Sequence, residues 1–261
     1  MSRNTSVSPP IERTSIRSRR LCLPGDHIEA PVLARAIASY VGGDPFLVVS
    51  STDHDSHLFT VELGRSLAQR RLAPCYHFKF RPGQKDYNLL VRRIVQADVR
   101  GLVLIAAAES AQVISTARAK GFRGLVFGGP SMGSRRFLQK AGEGAEGVIF
   151  PFLYTAGKES DGFEEEFNRR FGNRPDYLAA HTFGSVSLLI AAMRRAGLNR
   201  PRICDLVREL SPYQGVTGSI RWDSLESNWR PVDLGTIRGG RVILASAPQV
   251  PDDARPRSSR R

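Results

Sequence analysis

Four stretches of this 261-residue chain hold residue types that could do chemistry. The turn Thr52-Asp53-His54-Asp55-Ser56-His57 alternates Asp and His between an apolar run and a helical pattern. Three readings are open for it: lining of a ligand crevice, helix capping, or a metal site drawn from one loop. Gly129-Pro130-Ser131-Met132-Gly133 is a literal G-x-S-x-G between a strand and a helix, the setting of a nucleophile elbow. A serine hydrolase on that elbow would use Ser131 as nucleophile and His181 as base, with Asp161 or Asp176 as the acid. The other reading is a glycine-rich loop at a crevice edge. Gly142-Glu143-Gly144-Ala145-Glu146-Gly147 matches G-x-G-x-x-G but precedes a strand, so it cannot set a pyrophosphate on a helix N-terminus. Phe163, Phe167 and Phe171 fall on one helix face, as core packing requires.

The elements that would position these residues alternate. Strands are expected at 46–50, 75–80, 102–106, 125–127 and 148–150, with helices at about 58–72, from Asp86 onward, up to Gly121, and at 134–141. A strand every 20–30 residues with a helix between is the pattern of βαβ units in a parallel sheet covered on both faces. The expected fold class is therefore α/β, an open parallel sheet with helices on both faces. After Pro151 the pattern turns helical, with helices at 161–171, 177–196 and 203–210. Strands follow at 216–222, 232–237 and 241–244, the last two joined by Gly239-Gly240, a hairpin signal.

Composition narrows the function classes. The chain carries 38 Lys+Arg against 25 Asp+Glu, a net charge of +13. Residues 1–20 hold five Arg and one Glu, and residues 251–261 hold four Arg and two Asp, so almost half of the excess sits at the ends. Nucleic-acid binding is not expected, because no recognised module or aromatic–basic pattern accompanies the charge. No apolar run reaches the ~20 residues of a membrane-spanning helix. Cys22, Cys75 and Cys204 have neither disulfide-framework nor zinc spacing and are expected to act as small hydrophobes. The first 20 residues lack the apolar core of a standard secretory signal, which taken alone indicates the cytoplasm.

Several segments together resemble a known family. Leu63-Gly64-Arg65-Ser66-Leu67-Ala68, Ala117-Arg118-Ala119-Lys120-Gly121, Gly144-Ala145-Glu146-Gly147-Val148 and Gly172-Asn173-Arg174-Pro175 after Phe163–Phe171 are four of them. Phe183-Gly184-Ser185 with Arg194-Arg195-Ala196-Gly197, and the run Gly215 to Asp223 (GVTGSIRWD), complete the set. In this order and spacing over residues 30–245 the chain resembles the type I periplasmic binding proteins of the leucine/isoleucine/valine class. These are the substrate-binding components of branched-chain amino-acid ABC transporters.

The resemblance implies two α/β lobes with a small polar solute held between them, no catalysis and no cofactor. It implies a transporter permease as partner and a periplasmic location. It places ligand contacts at Asp55, Ser56 and His57, at Ala107, Ala108 and Glu109, and at Pro130 and Ser131. Glu109 or Asp55 would pair with an ammonium and Ser131 would donate a hydrogen bond. The family's aromatic contact falls near Ser56 and His57, where this chain has no Tyr. It implies 1–29 as a disordered basic lead-in, 30–150 as the second lobe, and 151–212 as a crossing segment with helices of a partial first lobe. Residues 213–248 return to the sheet and 249–261 form a tail. Family members carry a further βα half-lobe before the point matching residue 30. The second lobe is thus nearly complete and the first partial, a truncated binding module or a relic of one. Leu188, Leu189, Ala192 and Met193 would then lie uncovered.

Overall fold

The computed structural model describes residues 23–245 apart from 108, 156, 158 and 159. The expected lead-in and tail thus lie largely outside the described residues, as does Cys22.

Five parallel strands form the centre: β1 (Phe46–Ser51), β2 (Tyr76–Phe80), β3 (Gly101–Ile105), β4 (Leu125–Gly128) and β5 (Ile149–Phe152). The spatial order is β2-β1-β3-β4-β5, then β8 (Asp233–Arg238) and β9 (Arg241–Leu244), which add antiparallel. β1 and β3 are buried along their whole length because both of their faces are covered. Phe46 and Val48 point to one helical layer, with Val103, Phe127 and Ile149 beside them. That layer holds α1 (Asp26–Val41) and α2 (His54–Ala68). Leu47 and Val49 point the other way, into a cluster with Leu102, Leu104, Val126 and Phe150. Over it lie α3 (Asn88–Gln96), α4 (Ser110–Ala119) and α5 (Arg135–Ala141).

Helix α1 corrects the expected lead-in: it begins at Asp26, inside the stretch 1–29, and holds Pro31. Eight of its residues are buried, among them Ala30, Val32, Leu33, Ala34 and Ile37. Burial on more than one side blurs the 3.6-residue period that would reveal an amphipathic helix. Its Glu29 is 3% exposed, and burial first, then the nearby Asp26, hold the carboxyl well above the ordinary value. The folded protein therefore keeps a proton on Glu29 that the unfolded chain releases. This contribution is full below about pH 4, the unfolded value, and is lost as pH rises through the raised folded value. Glu29→Gln is expected to match the parent near pH 4 and to exceed it by ~1 kcal/mol at pH 8 in urea unfolding. A constant difference across that range would count against the buried, protonated acid.

Beyond β5, α6 (Asp161–Phe171) and α7 (Tyr177–Ala196) have the expected bounds, and α8 (Arg200–Glu209) starts three residues early on an Asn199 cap. Phe163, Phe167 and Phe171 do share a face, with ring centroids 5.7 and 4.6 Å apart. Phe163 packs on a buried cluster of Leu153, Tyr154 and Tyr177, but Phe171 is 60% exposed. On α7, Leu188 and Ala192 are buried, contrary to the expected bare face, while Leu189 and Met193 are exposed beside Phe183, Val186 and Ile190.

The strand expected at 216–222 is instead a hairpin, β6 (Tyr213–Gly215) with β7 (Gly218–Ile220). Gly218, at φ +88°, allows a reversal that the β-branched Val216 and Thr217 do not advertise. This hairpin lies in a sheet of its own, so only β8 and β9 return to the main sheet. Gly239 and Gly240, both at positive φ, make the two-residue turn between them. Cys75 and Cys204 are exposed, not small core residues.

Candidate functional site

Because β1 to β5 are parallel, the loops after them emerge at one edge of the sheet, where open α/β sheets place ligands. The first loop is a helix cap. The Asp53 Oδ1 accepts from the Ser56 N–H at 2.9 Å, and the Asp53 N–H donates to Ser51 Oγ at 3.4 Å. Burial would raise the Asp53 carboxyl, but hydrogen bonds from Ser51 and Ser56 outweigh it and hold it below the ordinary value. Ser56 is buried, whereas Asp55 and His57 are exposed. Asp55 lies near the start of α1: Asp26 is raised by burial, then by Asp55 and Glu62. Among the described residues no group of three or more His, Cys, Asp or Glu is placed to hold a metal ion.

The other loops are stitched to one another. After β3, Ala107 is exposed, Ala108 lies outside the described residues, and Glu109 is half-buried. Glu109 Oε1 accepts from the Gly83 N–H at 3.0 Å, which ties this loop to the one after β2. After β4, Ser131 Oγ donates to the Ala106 carbonyl at 3.1 Å, linking the third and fourth strands' loops. Pro130 is half-buried at the start of the same 3-10 turn, which runs to Gly133. Ser134 then caps α5, accepting from the Phe137 N–H at 3.2 Å and donating to the Ser131 carbonyl at 2.7 Å.

These bonds correct the hydrolase alternative. The Ser131 hydroxyl is spent on a carbonyl. His181 is 3% exposed, and its Nε2 donates to the Leu153 carbonyl at 3.0 Å, fastening α7 to the segment that leaves β5. The second glycine of the supposed elbow and the glycine just before the motif have packing reasons. A Cβ on Gly133 would stand 2.8 Å from the Phe150 ring, and one on the preceding Gly128 would stand 2.0 Å from Met132 Sδ. The G-x-G-x-x-G run is a 3-10 turn at Gly142–Ala145 ahead of β5, as its position before a strand required.

Sequence reasoning missed one feature at this end of the sheet. A cavity of about 450 Å³ runs between α2 and the β1–β2 edge, with Thr52 and His57 at its rim and His77 and Lys79 in its floor. The available signal was the His77-x-Lys79 alternation on an edge strand, which puts both side chains on one face.

Among the described residues no helix is long and apolar enough to cross a membrane. No curated protein matches the chain. Solved structures do. The leucine-binding protein LivK of Thermotoga maritima superposes with a TM-score of 0.76 at 19% identity, over 85% of this chain and 65% of that one. The branched-chain amino-acid transporter substrate-binding protein LivJ of Streptococcus pneumoniae, in complex with isoleucine, gives 0.72 at 17% identity, over 84% and 66%. An ABC transporter substrate-binding protein of Desulfitobacterium hafniense in complex with Leu gives 0.68 at 21% identity, over 85% and 66%. The chain thus spans about 65% of the length of these proteins and shares their fold. The periplasmic binding protein family model matches residues 21–240, most of the sequence. The chain belongs to the periplasmic binding protein family.

Proposed function

We propose that this chain is a ligand-binding module of a branched-chain amino-acid ABC transporter, non-enzymatic and periplasmic, with a transporter permease as partner. The ligand would sit on the loop edge of the parallel sheet, against the residues around Asp55–His57, Ala107–Glu109 and Pro130–Ser131. The observation that carries this reading is the stitched loop set itself. Glu109 holds the β2 loop with one carboxylate oxygen, and Ser131 holds the β3 loop. Fixing these groups beforehand lowers the ordering cost of binding. Glu109 has a second oxygen for a ligand ammonium, and a carboxylate suits that task because opposite charges attract strongly where water is partly excluded. Ser56 and His57, in place of an aromatic side chain, would give a more polar wall than a leucine pocket needs, so a small polar amino acid is within the class.

Calorimetry against a panel headed by leucine, isoleucine and valine tests the proposal. Heat that saturates with at least one amino acid is expected. Glu109→Gln is expected to weaken that binding about tenfold, ~1.4 kcal/mol, with little change in stability. Folded protein that gives no heat with any member of the panel would refute the reading.

A further inference from the structure

The cavity beside α2 has two chemically different ends. Its floor is one face of the sheet edge: Val48 and Ser50 of β1, in register with His77 and Lys79 of β2. Its roof is one side of α2, where His57, Val61, Gly64 and Ala68 recur at helical spacing. The helix runs antiparallel to the strands, so the ends sort by polarity. At the strands' C-terminal end stand Ser50, Thr52, His57 and Lys79. At the other end stand Leu67, Leu72 and Pro74. From Pro74 to Lys79 the strand spans roughly 16 Å.

The polar end is suited to an anion. Among the described residues Lys79 makes no ion pair. Ser50 Oγ lies 2.8 Å from His77 Nε2, so this pair is already oriented. Burial, then the charge on Lys79, hold His77 below its ordinary value. The Asp53 carboxylate on the neighbouring turn is committed to the α2 cap. The roof is open because Gly64 has no side chain: a Cβ there would meet nothing within 4 Å.

We propose that this groove is a second ligand site, adjoining the loop edge at Thr52 and His57 but centred on the β1–β2 edge, that takes an aliphatic monocarboxylate of medium chain length. The carboxylate would lie at Lys79 and the His77–Ser50 pair, and the chain would run under Gly64 toward Leu67, Leu72 and Pro74. A cavity of this size with an apolar body and a few convergent polar groups has the make-up of small-molecule sites.

The probe is octanoate, titrated into the intact chain by calorimetry and protein NMR, with octanol as the uncharged control. Saturable octanoate binding is expected, at least fivefold tighter than octanol. Lys79→Ala is expected to weaken octanoate at least fivefold and to leave octanol unchanged. Gly64→Phe places a ring in the groove and is expected to abolish both, with circular dichroism reporting the fold. Should Gly64→Phe not fold, the Lys79→Ala comparison decides alone. Absence of saturation, equal affinity for octanoate and octanol, or insensitivity to Lys79→Ala each overturns the proposal, as does wild-type affinity in folded Gly64→Phe. Amino-acid binding is read separately, because Lys79→Ala is expected to leave it unaltered.

Discussion

Phe127→Ala is expected to lower the free energy of unfolding by about 3–5 kcal/mol, read as a shift of the urea midpoint at unchanged slope. Phe127 is fully buried in β4, next to Val103 of β3 and Ile149 of β5 in the sheet register. Its ring meets Tyr40 of α1 edge to face, centroids 6.1 Å apart at 70°. Truncation therefore opens a cavity between the middle of a sheet and a helix, and neither can move in to fill it. β4 also ends at the loop that carries Pro130 and Ser131, so ligand affinity should fall with the folded fraction. A loss under about 1 kcal/mol would contradict the packing of α1 against β4.

Gly128→Ala is the second large effect, through crowding. The added methyl would stand 2.0 Å from Met132 Sδ and 3.1 Å from the Leu104 carbonyl oxygen. Met132 is fully buried with Phe150 in the α3–α5 layer, so it cannot swing into solvent. A loss of about 1–3 kcal/mol is expected. Met132→Ala alone should cost about 2–5 kcal/mol by leaving a void. The two changes together should cost at least ~1 kcal/mol less than their sum, because each relieves the other. Strict additivity would show that the added methyl does not meet Met132.

The parallel core was legible because β1 and β3 are short continuous apolar runs bounded by turn residues, a pattern that few other arrangements explain. Helices α6 and α7 were legible to the residue because Gly172 and Gly197 stop them and Asp176 caps the second. α1 was not, since its apolar residues lie all round it and Pro31 reads as a break. The hairpin at 213–220 was hidden by β-branched residues in its turn. At the site, sequence placed Ser131 and Glu109 on crevice loops, and the structure gives each a backbone partner that no spacing rule contains. The hydrolase alternative failed on the same ground: a serine elbow and a downstream histidine can be seen in sequence, but their hydrogen bonds to Ala106 and Leu153 cannot. The groove beside α2 was out of reach because it needs residues of β1, α2 and β2 at once, and the decisive one, Gly64, contributes by lacking a side chain.

The return of the chain to its sheet sets an order of assembly. Strands β1 to β5 each find a neighbour a few tens of residues away, whereas β8 pairs Thr236 with Ile149 across the whole excursion through α6, α7 and α8. Closing a long loop costs entropy that only the finished contact repays, so distant pairings come last. The five-strand body can therefore condense during synthesis while β5 still presents a bare edge. β8 and β9 then zip onto that edge and seal it once they too have been made.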